Sequence, residues 1–381
     1  MLSRLTRVTV ENVVGNIHDV FRLPLEAMEE LQLQLMRDKF RFHYENSRFY
    51  HKLCTGRQVT PDDLATYEDL DKIPLIPVRY FKQPEAHLLL TLPLREIEFE
   101  MRSTGTGGIP SVSRRDRRTV DISLQFLAGL YREFFGFSRG AGLMLCPSTD
   151  EMPEMGMVKV LNILRGMFDA SEYLVRRASF KPEQAIEFLN RWEGIHTRHI
   201  VGPPFLINRF LQYLADNNTP LQLDRGSRII TIGGWKRFTA EKISRELFNE
   251  RCATYLGIQP NRVADVYGLV EANMLAIECE MGNKHIPPWV YAGLRDPQNL
   301  EAPAKPGKPG ALVIMDPTSY AYPCFLQTED VVQLRKAEPC GCGRSGTYLD
   351  FVERLPGAEL GCCAVNLERF MDEADASESS R

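Results

Sequence analysis

The stretch Ile229-Ile-Thr-Ile-Gly-Gly-Trp-Lys236 decides the fold class. Its four β-branched residues are typical of a strand, and the two glycines end that strand. On either side, apolar residues at helical spacing predict helices over residues 205–214 and 239–256. Short apolar runs predict strands at residues 199–201 and 263–267. Strands that alternate with helices in this way indicate an α/β fold.

The pattern extends in both directions and divides the chain into four regions. Residues 1–100 are expected to form a helical, then mixed region, and residues 101–285 an α/β core with helices over 117–135 and 181–192 and a strand over 142–146. Proline and glycine become denser after residue 285, and short strands are expected at 311–315 and 331–334, so residues 286–367 are expected to be a β-rich subdomain. The acidic, serine-rich residues 368–381 are expected to be disordered.

Composition excludes several classes of protein. The chain has 381 residues, of which 44% are hydrophobic and 25% charged, as in globular proteins rather than disordered or fibrous ones. Its 46 Lys and Arg against 50 Asp and Glu give a formal charge of −4, which disfavours a nucleic-acid-binding protein. No run is long enough for a membrane span, and no apolar signal segment follows the N-terminus, so we expect a cytoplasmic protein. In that compartment the nine cysteines are expected to be buried thiols, metal ligands or nucleophiles.

The segment Arg102-Ser-Thr-Gly-Thr-Gly-Gly-Ile-Pro-Ser111 contains three hydroxyl residues and three glycines in six consecutive positions. Backbone N–H groups of such a loop can surround phosphate oxygens, and the hydroxyls add donors. The segment fits neither the Walker A pattern nor the dinucleotide pattern of glycines. The alternative interpretation is a flexible glycine-rich turn.

Four downstream motifs follow this loop in a fixed order: Gly233-Gly234, Tyr267-Gly-Leu-Val-Glu271, Thr328-Glu-Asp330 and Arg354. The ordered series resembles that of the adenylate-forming (acyl-AMP) superfamily. Within it, the chain is similar to the acyl-protein synthetases of bacterial bioluminescence (LuxE-like) and to acyl-activating proteins of phenazine pathways, over residues 20–367. The details that carry this resemblance are Gly233-Gly-Trp-Lys236, Glu278-Cys-Glu-x-Gly-Asn-x-His285, Cys340-Gly-Cys-Gly-Arg344 and Glu359-Leu-Gly-Cys362.

The resemblance implies an ATP site in the 101–285 core. The loop would hold the ATP phosphates through Ser103, Thr104, Gly105, Thr106, Gly107 and Gly108. Gly233 and Gly234 would line the adenine with Tyr267 stacked on it, Glu271 would bind Mg²⁺, and Asp330 would bind the ribose with Arg354 nearby. The alternative for Tyr267 and Glu271 is a buried ring and a surface acid.

Adenylation needs positive charge, because a carboxylate must attack an anionic phosphate. Many adenylating enzymes carry a further C-terminal domain that supplies a catalytic lysine, and the few residues after Arg354 contain none. We therefore expect a shortened member of the superfamily in which Lys236 takes this role; a solvated surface lysine is the alternative. Four arginines at positions 114, 115, 117 and 118 are expected to be the solvated start of a helix.

Cys279, His285, Cys340 and Cys342 form a second group of chemically active residues. Three thiolates and one imidazole complete a tetrahedral Zn²⁺ shell with no open position, so the pattern predicts a structural zinc site. The alternative is four unrelated buried residues.

The predicted activity is ATP-dependent activation of a carboxylic acid, followed by acyl transfer to a thiol. The resemblance implies an acyl-accepting cysteine, for which Cys362 fits better than Cys363, and an acyl reductase or other thiol acceptor as partner. The alternative interpretation is that Cys362 and Cys363 are two small buried residues without a catalytic role. The sequence leaves open whether the acid is long-chain or aromatic, whether CoA, a carrier protein or an amine is the acceptor, and whether the chain is a non-catalytic ATP- or acyl-binding subunit of a reductase complex.

Overall fold

The structure is a computed structural model that describes residues 8–103, 109–136, 140–176, 179–234 and 243–358. The α-helices of these residues are α1 Val10–Gly15, α2 Ile17–Val20, α3 Leu25–Asn46, α4 Arg48–Arg57, α5 Arg117–Phe135, α6 Gly156–Arg165, α7 Pro182–Trp192, α8 Pro204–Asp216 and α9 Arg245–Leu256. None of these helices has the length and apolar composition that crossing a bilayer requires.

The strands of the first two thirds of the chain are β1 Ile76–Pro77, β2 Ile97–Arg102, β3 Val112–Asp116, β4 Ala141–Met144, β5 Ala170–Tyr173, β6 Val175–Arg176, β7 Ser179–Phe180, β8 Arg198–Gly202, β9 Ile229–Ile232 and β10 Val263–Gly268. Those of the last third are β11 Leu275–Glu278, β12 Lys284–His285, β13 Tyr291–Asp296, β14 Asn299–Pro303, β15 Gly310–Met315, β16 Phe325–Ala337 and β17 Gly346–Arg354.

One large sheet runs through the molecule in the order β14-β13-β15-β16-β17-β12-β11-β10-β9-β8-β4-β5, and β1 pairs with β16 beside this path. The five strands from β10 to β5 are parallel, and helices α6 to α9 connect them along the chain. In the rest of the sheet, neighbouring strands are antiparallel, from β11 through β12, β17, β16, β15 and β13 to β14. The mixed α/β fold with a β-rich C-terminal part is therefore confirmed.

The parallel part of the sheet determines where a ligand can bind. The chain leaves β4 toward β5 on one side and returns to β8 on the other, so the strand order reverses between β4 and β8. In open parallel sheets, ligands bind outside the carboxyl ends of the strands near such a reversal. The two glycines after β9 and the residues that follow β10 lie at these ends.

Most predicted elements of the core are found within two residues of their predicted bounds. The helix over 117–135 and the strand at residues 229–232 are found as predicted, whereas the helix expected from residue 239 begins within the described residues at Arg245, where Ser244 accepts a hydrogen bond from the Leu247 N–H. The prediction that the four arginines form a solvated helix start was wrong for the first two. Arg114 and Arg115 lie in β3, and Arg115 is only 2% exposed, so the solvated helix start begins at Arg117.

Candidate active site and metal centre

A cleft of about 1380 Å³ opens at the carboxyl ends of the parallel strands. All the described residues predicted to bind nucleotide and Mg²⁺ line it: Ser103, Gly233, Gly234, Tyr267, Glu271, Asp330 and Arg354. Thr104, Gly105, Thr106, Gly107, Gly108, Lys236, Cys362 and Cys363 lie outside the residues that the structure describes.

The β2–β3 hairpin holds the base of the serine-threonine-glycine loop. The strands pair antiparallel up to Arg102 and Val112. One residue further, the Ser103 N–H donates to the Ser111 carbonyl at 2.9 Å, and the Ser111 N–H donates to the Ser103 hydroxyl at 2.8 Å. These two hydrogen bonds fix the start of the loop at the edge of the cleft. The loop predicted from the sequence therefore begins beside the cleft.

The two glycines after β9 have backbone conformations that other residues rarely adopt. Gly233 has φ of 91° and Gly234 has φ of 69°. A Cβ at Gly234 would meet no atom within 4 Å, so the chain there faces open space. The strand therefore ends in a bare stretch of backbone that a flat ring can approach.

Tyr267, Asp330 and Arg354 form a chain of contacts across β10, β16 and β17. The Tyr267 hydroxyl donates to Asp330 Oδ2 at 2.7 Å, and Arg354 Nε lies 3.1 Å from Asp330 Oδ1. Asp330 and Arg354 are also partners in strand register, and Arg354 reaches Glu329 at 3.2 Å. Burial and the Asp330 charge raise the pKa of Tyr267 well above its ordinary value, so it stays a hydrogen-bond donor.

Glu271 is a buried carboxyl in the cleft wall, 6% exposed. Burial raises its pKa, and the nearby Ser111 hydroxyl opposes that shift. The Tyr322 hydroxyl donates to the Glu271 carbonyl at 2.6 Å, which fixes the backbone beneath the carboxyl. A buried carboxylate of this kind is stabilised by a cation, so Glu271 fits a metal ligand better than the surface acid of the alternative interpretation.

Arg115 is a site residue that the sequence analysis missed. Its Nε donates to Asn273 Oδ1 at 2.5 Å and its Nη2 to the Val270 carbonyl at 2.9 Å, and it also contacts Ser113 and Tyr322. Arg115 thus braces the segment around Glu271. In β3, Ser113 and Arg115 are buried whereas Val112 and Arg114 are only partly so, but the run of four arginines concealed this alternation.

A second charged group lines the cleft where β10, β11 and β12 meet. Lys284 Nζ donates to Asp265 Oδ2 at 2.5 Å, and the Thr231 hydroxyl donates to Asp265 Oδ1 at 2.6 Å. Burial alone would raise the pKa of Asp265, but Lys284 and Thr231 hold it below its ordinary value. Beside them, Arg245 contacts both oxygens of Glu278 at 3.0 Å.

Large side chains around the cleft differ in their positions. Met274 lines the cleft, whereas Phe205 is buried in the core at 1% exposure and Tyr173 bonds to Asn162 at 2.8 Å. Trp235 lies outside the described residues.

Cys279, His285, Cys340 and Cys342 converge as predicted, with one ligand atom each and all four atoms within 4.8 Å of one another. A tetrahedral zinc with bonds of about 2.3 Å places its sulfur ligands about 3.8 Å apart, so the cluster has the size of one metal site. His285 Nε2 lies 3.5 Å from Cys342 Sγ, which directs that nitrogen into the cluster. The four residues can therefore hold a metal ion.

Neighbouring side chains support this donor set. Asn283 Nδ2 donates to Cys340 Sγ at 3.2 Å. The Cys279 thiol lowers the pKa of Cys342, and His285 and Arg344 lower it further. Arg344 is itself held by Glu133 at 3.0 Å. A thiolate with a hydrogen-bonded second layer is the form that binds metal.

Comparison with known proteins decides the family. The model of the acyl-protein synthetase family, LuxE, matches residues 8–371. The chain belongs to this family. The resemblance seen in its ordered motifs is confirmed.

Relatives of this acyl-protein synthetase are similar over nearly their full length. The long-chain-fatty-acid–luciferin-component ligase of Aliivibrio fischeri is 30% identical over 350 residues, which cover 90% of this chain and 89% of that protein. The corresponding ligase of Vibrio harveyi is 27% identical, with 91% and 89% covered. A solved structure of a 2-hydroxyisobutyryl-CoA ligase has the same fold, with a TM-score of 0.64, 15% identity, and 88% of this chain and 77% of that chain covered.

This acyl-protein synthetase is therefore an adenylate-forming ligase, which activates a carboxylic acid with ATP and transfers the acyl group. The predicted activity is confirmed at this level.

Proposed function

We propose that the cleft binds ATP with the phosphates at the Ser103 loop, the adenine between Gly233-Gly234 and Tyr267, and the ribose at Asp330. The observation that carries this proposal is the contact chain Tyr267–Asp330–Arg354, which joins three separate parts of the sequence in one cleft with Glu271. Asp330 then accepts hydrogen bonds from ribose hydroxyls, and Arg354, 3.1 Å from its Oδ1, holds the carboxylate in place.

Glu271 would hold Mg²⁺ in this arrangement. A bound Mg²⁺ supplies positive charge to the ATP phosphates. Arg115 donates to the Val270 carbonyl at 2.9 Å, and Tyr322 donates to the Glu271 carbonyl at 2.6 Å. These two hydrogen bonds fix the backbone at Glu271. Such preorganisation lowers the barrier, because the site need not rearrange as charge develops.

The acid substrate would lie against the apolar part of the cleft. Helices α5 and α6 contribute this wall, with side chains that include Leu124, Leu127, Met157 and Val160. An apolar wall favours an acid with an apolar body. Because the Aliivibrio and Vibrio relatives are named for long-chain fatty acids, we propose a long-chain acyl substrate.

The acyl acceptor would be a thiol, with Cys362 as the first residue acylated and an acyl reductase as the partner that takes the group onward. Supporting this are the family name and the Gly-Cys context at the end of the chain. We also propose that the enzyme works in the cytoplasm, where ATP is available.

The metal cluster would hold structural Zn²⁺, since three cysteines and one histidine prefer zinc and leave no position for a substrate. The four ligand atoms within 4.8 Å support this choice. A bound zinc would join β11 and β12 to the segment before β17.

The test is exchange of labelled pyrophosphate into ATP with a panel of fatty acids and aromatic acids. We expect exchange with long-chain acids in Mg²⁺ buffer and none in EDTA. Glu271→Gln should lower the exchange rate by on the order of 100-fold, because it removes charge from the metal site.

The matched control is Glu246→Gln, an exposed acid at the start of α9 that should leave exchange unchanged. Full activity in Glu271→Gln would contradict its metal role. Exchange with aromatic acids alone would contradict the proposed long-chain substrate but would still support the adenylation reaction.

A further inference from the structure

A segment from the N-terminal region is fixed against the strand that carries Asp330. β1 pairs in parallel with β16, with Ile76 opposite Leu326 and Pro77 opposite Gln327. The chain then forms a short 3₁₀ turn, Val78–Lys82. Because Gln327 lies three residues before Asp330, this pairing brings the turn to the edge of the cleft.

Phe81 holds the end of this turn in place. It is buried, and its ring packs edge-on against Tyr322 with ring centroids 4.9 Å apart. The same Tyr322 bonds to the Glu271 carbonyl at 2.6 Å. One side chain therefore fixes both the turn and Glu271, so Lys82 at the end of the turn is held relative to the Glu271 carboxyl.

Lys82 lines the cleft, and its charge acts on Glu271. Lys82 is thus a cleft lysine whose charge acts on the proposed metal carboxylate.

We propose that Lys82 is a catalytic residue of the adenylation step and rests its ammonium group against the reacting anions. This inference builds on the proposed function of the cleft. In the step, a carboxylate oxygen of the acid forms a bond to the α-phosphorus of ATP. The bond from that phosphorus to the bridging oxygen breaks, and pyrophosphate leaves with the electron pair.

Lys82 keeps its proton throughout this step. Negative charge from the carboxylate and the α-phosphate is concentrated in the transition state, and a fixed ammonium offsets it most at that moment. Lys82 would therefore act on the turnover rate more than on the binding of ATP.

The experiment compares Lys82→Met, Lys82→Gln and Lys82→Arg in pyrophosphate exchange, with thermal unfolding as a check of folding. We expect kcat to fall on the order of 100-fold in both neutral variants with a small change in KM for ATP, since loss of one fixed donor at a developing anion has this size. Lys82→Arg should recover part of the rate. Arg79→Met, which removes an exposed cation from the same turn, should match the wild type.

The outcomes separate this inference from the proposed function. No exchange by the wild type with any acid would overturn the proposed function itself. An active wild type with a folded Lys82→Met or Lys82→Gln that keeps its rate would overturn the role of Lys82 alone. A raised KM for ATP at unchanged kcat would also overturn it, because Lys82 would then act on ground-state binding.

Discussion

Lys39 is an unusual residue because its ammonium group is inside the protein. The side chain is 4% exposed, and Nζ lies 3.0 Å from the centroid of the Tyr320 ring with no hydrogen-bond acceptor among the described residues. Arg118 lies over the same ring at 4.0 Å. Burial, together with the Arg118 charge, lowers the pKa of Lys39 to about 7. The ring replaces only part of the stabilisation that a cation takes from water.

This lowered pKa makes stability depend on pH. The ordinary pKa of lysine is 10.5, so between about pH 7 and 10.5 the unfolded chain binds the Lys39 proton and the folded chain does not. The free energy of unfolding should therefore rise with pH in this window, by at most about 1.4 kcal/mol per pH unit from this group. Lys39→Met should be more stable than the wild type near pH 7 and lose the rise.

Urea unfolding of both proteins at several pH values from 6 to 10 measures the effect. The difference between wild type and Lys39→Met isolates Lys39 together with Glu11 and His43, whose pKa values its charge lowers. Lys52→Met, which removes an exposed lysine, should keep the rise. Parallel pH curves for wild type and Lys39→Met would show that Lys39 stays charged in the folded protein.

Single residues also mark where sequence reasoning succeeds. Cys279 and His285 were predictable as partners of Cys340 because few roles other than metal binding require thiols and imidazole at such spacing. Arg115 was not, because its role depends on burial, and a run of like charges normally indicates solvent.

The β11–β12 hairpin links the metal cluster to the cleft. Glu278 pairs with Lys284 across the hairpin, and both line the cleft. The residues that follow them in the sequence belong to the metal cluster: Cys279 after Glu278, and His285 after Lys284. Metal binding on one side of the hairpin should therefore hold Lys284 against Asp265 on the other.

Cys340→Ser tests this link. The wild type should contain about one zinc per chain, and the variant should lose it, because one of four ligands is gone. We expect its ATP affinity to fall several-fold, since Lys284 and Asp265 are no longer fixed at the cleft wall. Metal analysis and calorimetric titration with ATP measure the two effects.

Cys54→Ala is the control, a buried cysteine outside the cluster that should keep both zinc and ATP affinity. Wild type purified without chelator and free of metal would contradict the zinc site. A zinc-free Cys340→Ser with normal ATP affinity would show that the hairpin holds its shape alone.

Elements differ in how far the sequence reveals them. β9 was predicted with its bounds because an unbroken β-branched run is its own signal. β16 is 13 residues long, yet only residues 331–334 were predicted. Its first half contains the polar run Gln327-Thr-Glu-Asp330, in which Thr328 and Asp330 are buried and line the cleft. Such polar composition conceals a strand from sequence analysis.

At the scale of the molecule, one sheet joins parts of the chain that are far apart in sequence. β1 near residue 76 pairs with β16 near residue 326, and β12 pairs with β17 through His285 and Tyr348. The ordered motifs could be recognised without this topology, since each is a local pattern. Lys82 could not, because only the β1–β16 pairing brings it to the cleft.

The protein must also pass the acyl group onward. We expect the acyl group to be transferred from the adenylate to the Cys362 thiol. A thioester divides the transfer into two easier steps, and it keeps the acyl group activated for a partner. Incubation with ATP and labelled acid should therefore label the protein, and hydroxylamine should remove the label.

Cys362→Ser should abolish this label while pyrophosphate exchange continues, because adenylation does not use the thiol. The neighbouring Cys363→Ser is the matched control and should keep the label. Label that survives in Cys362→Ser and disappears in Cys363→Ser would exchange the two roles. A wild type that exchanges pyrophosphate but takes no label would instead require an external acceptor such as CoA, since the adenylate would then pass directly to a diffusing thiol.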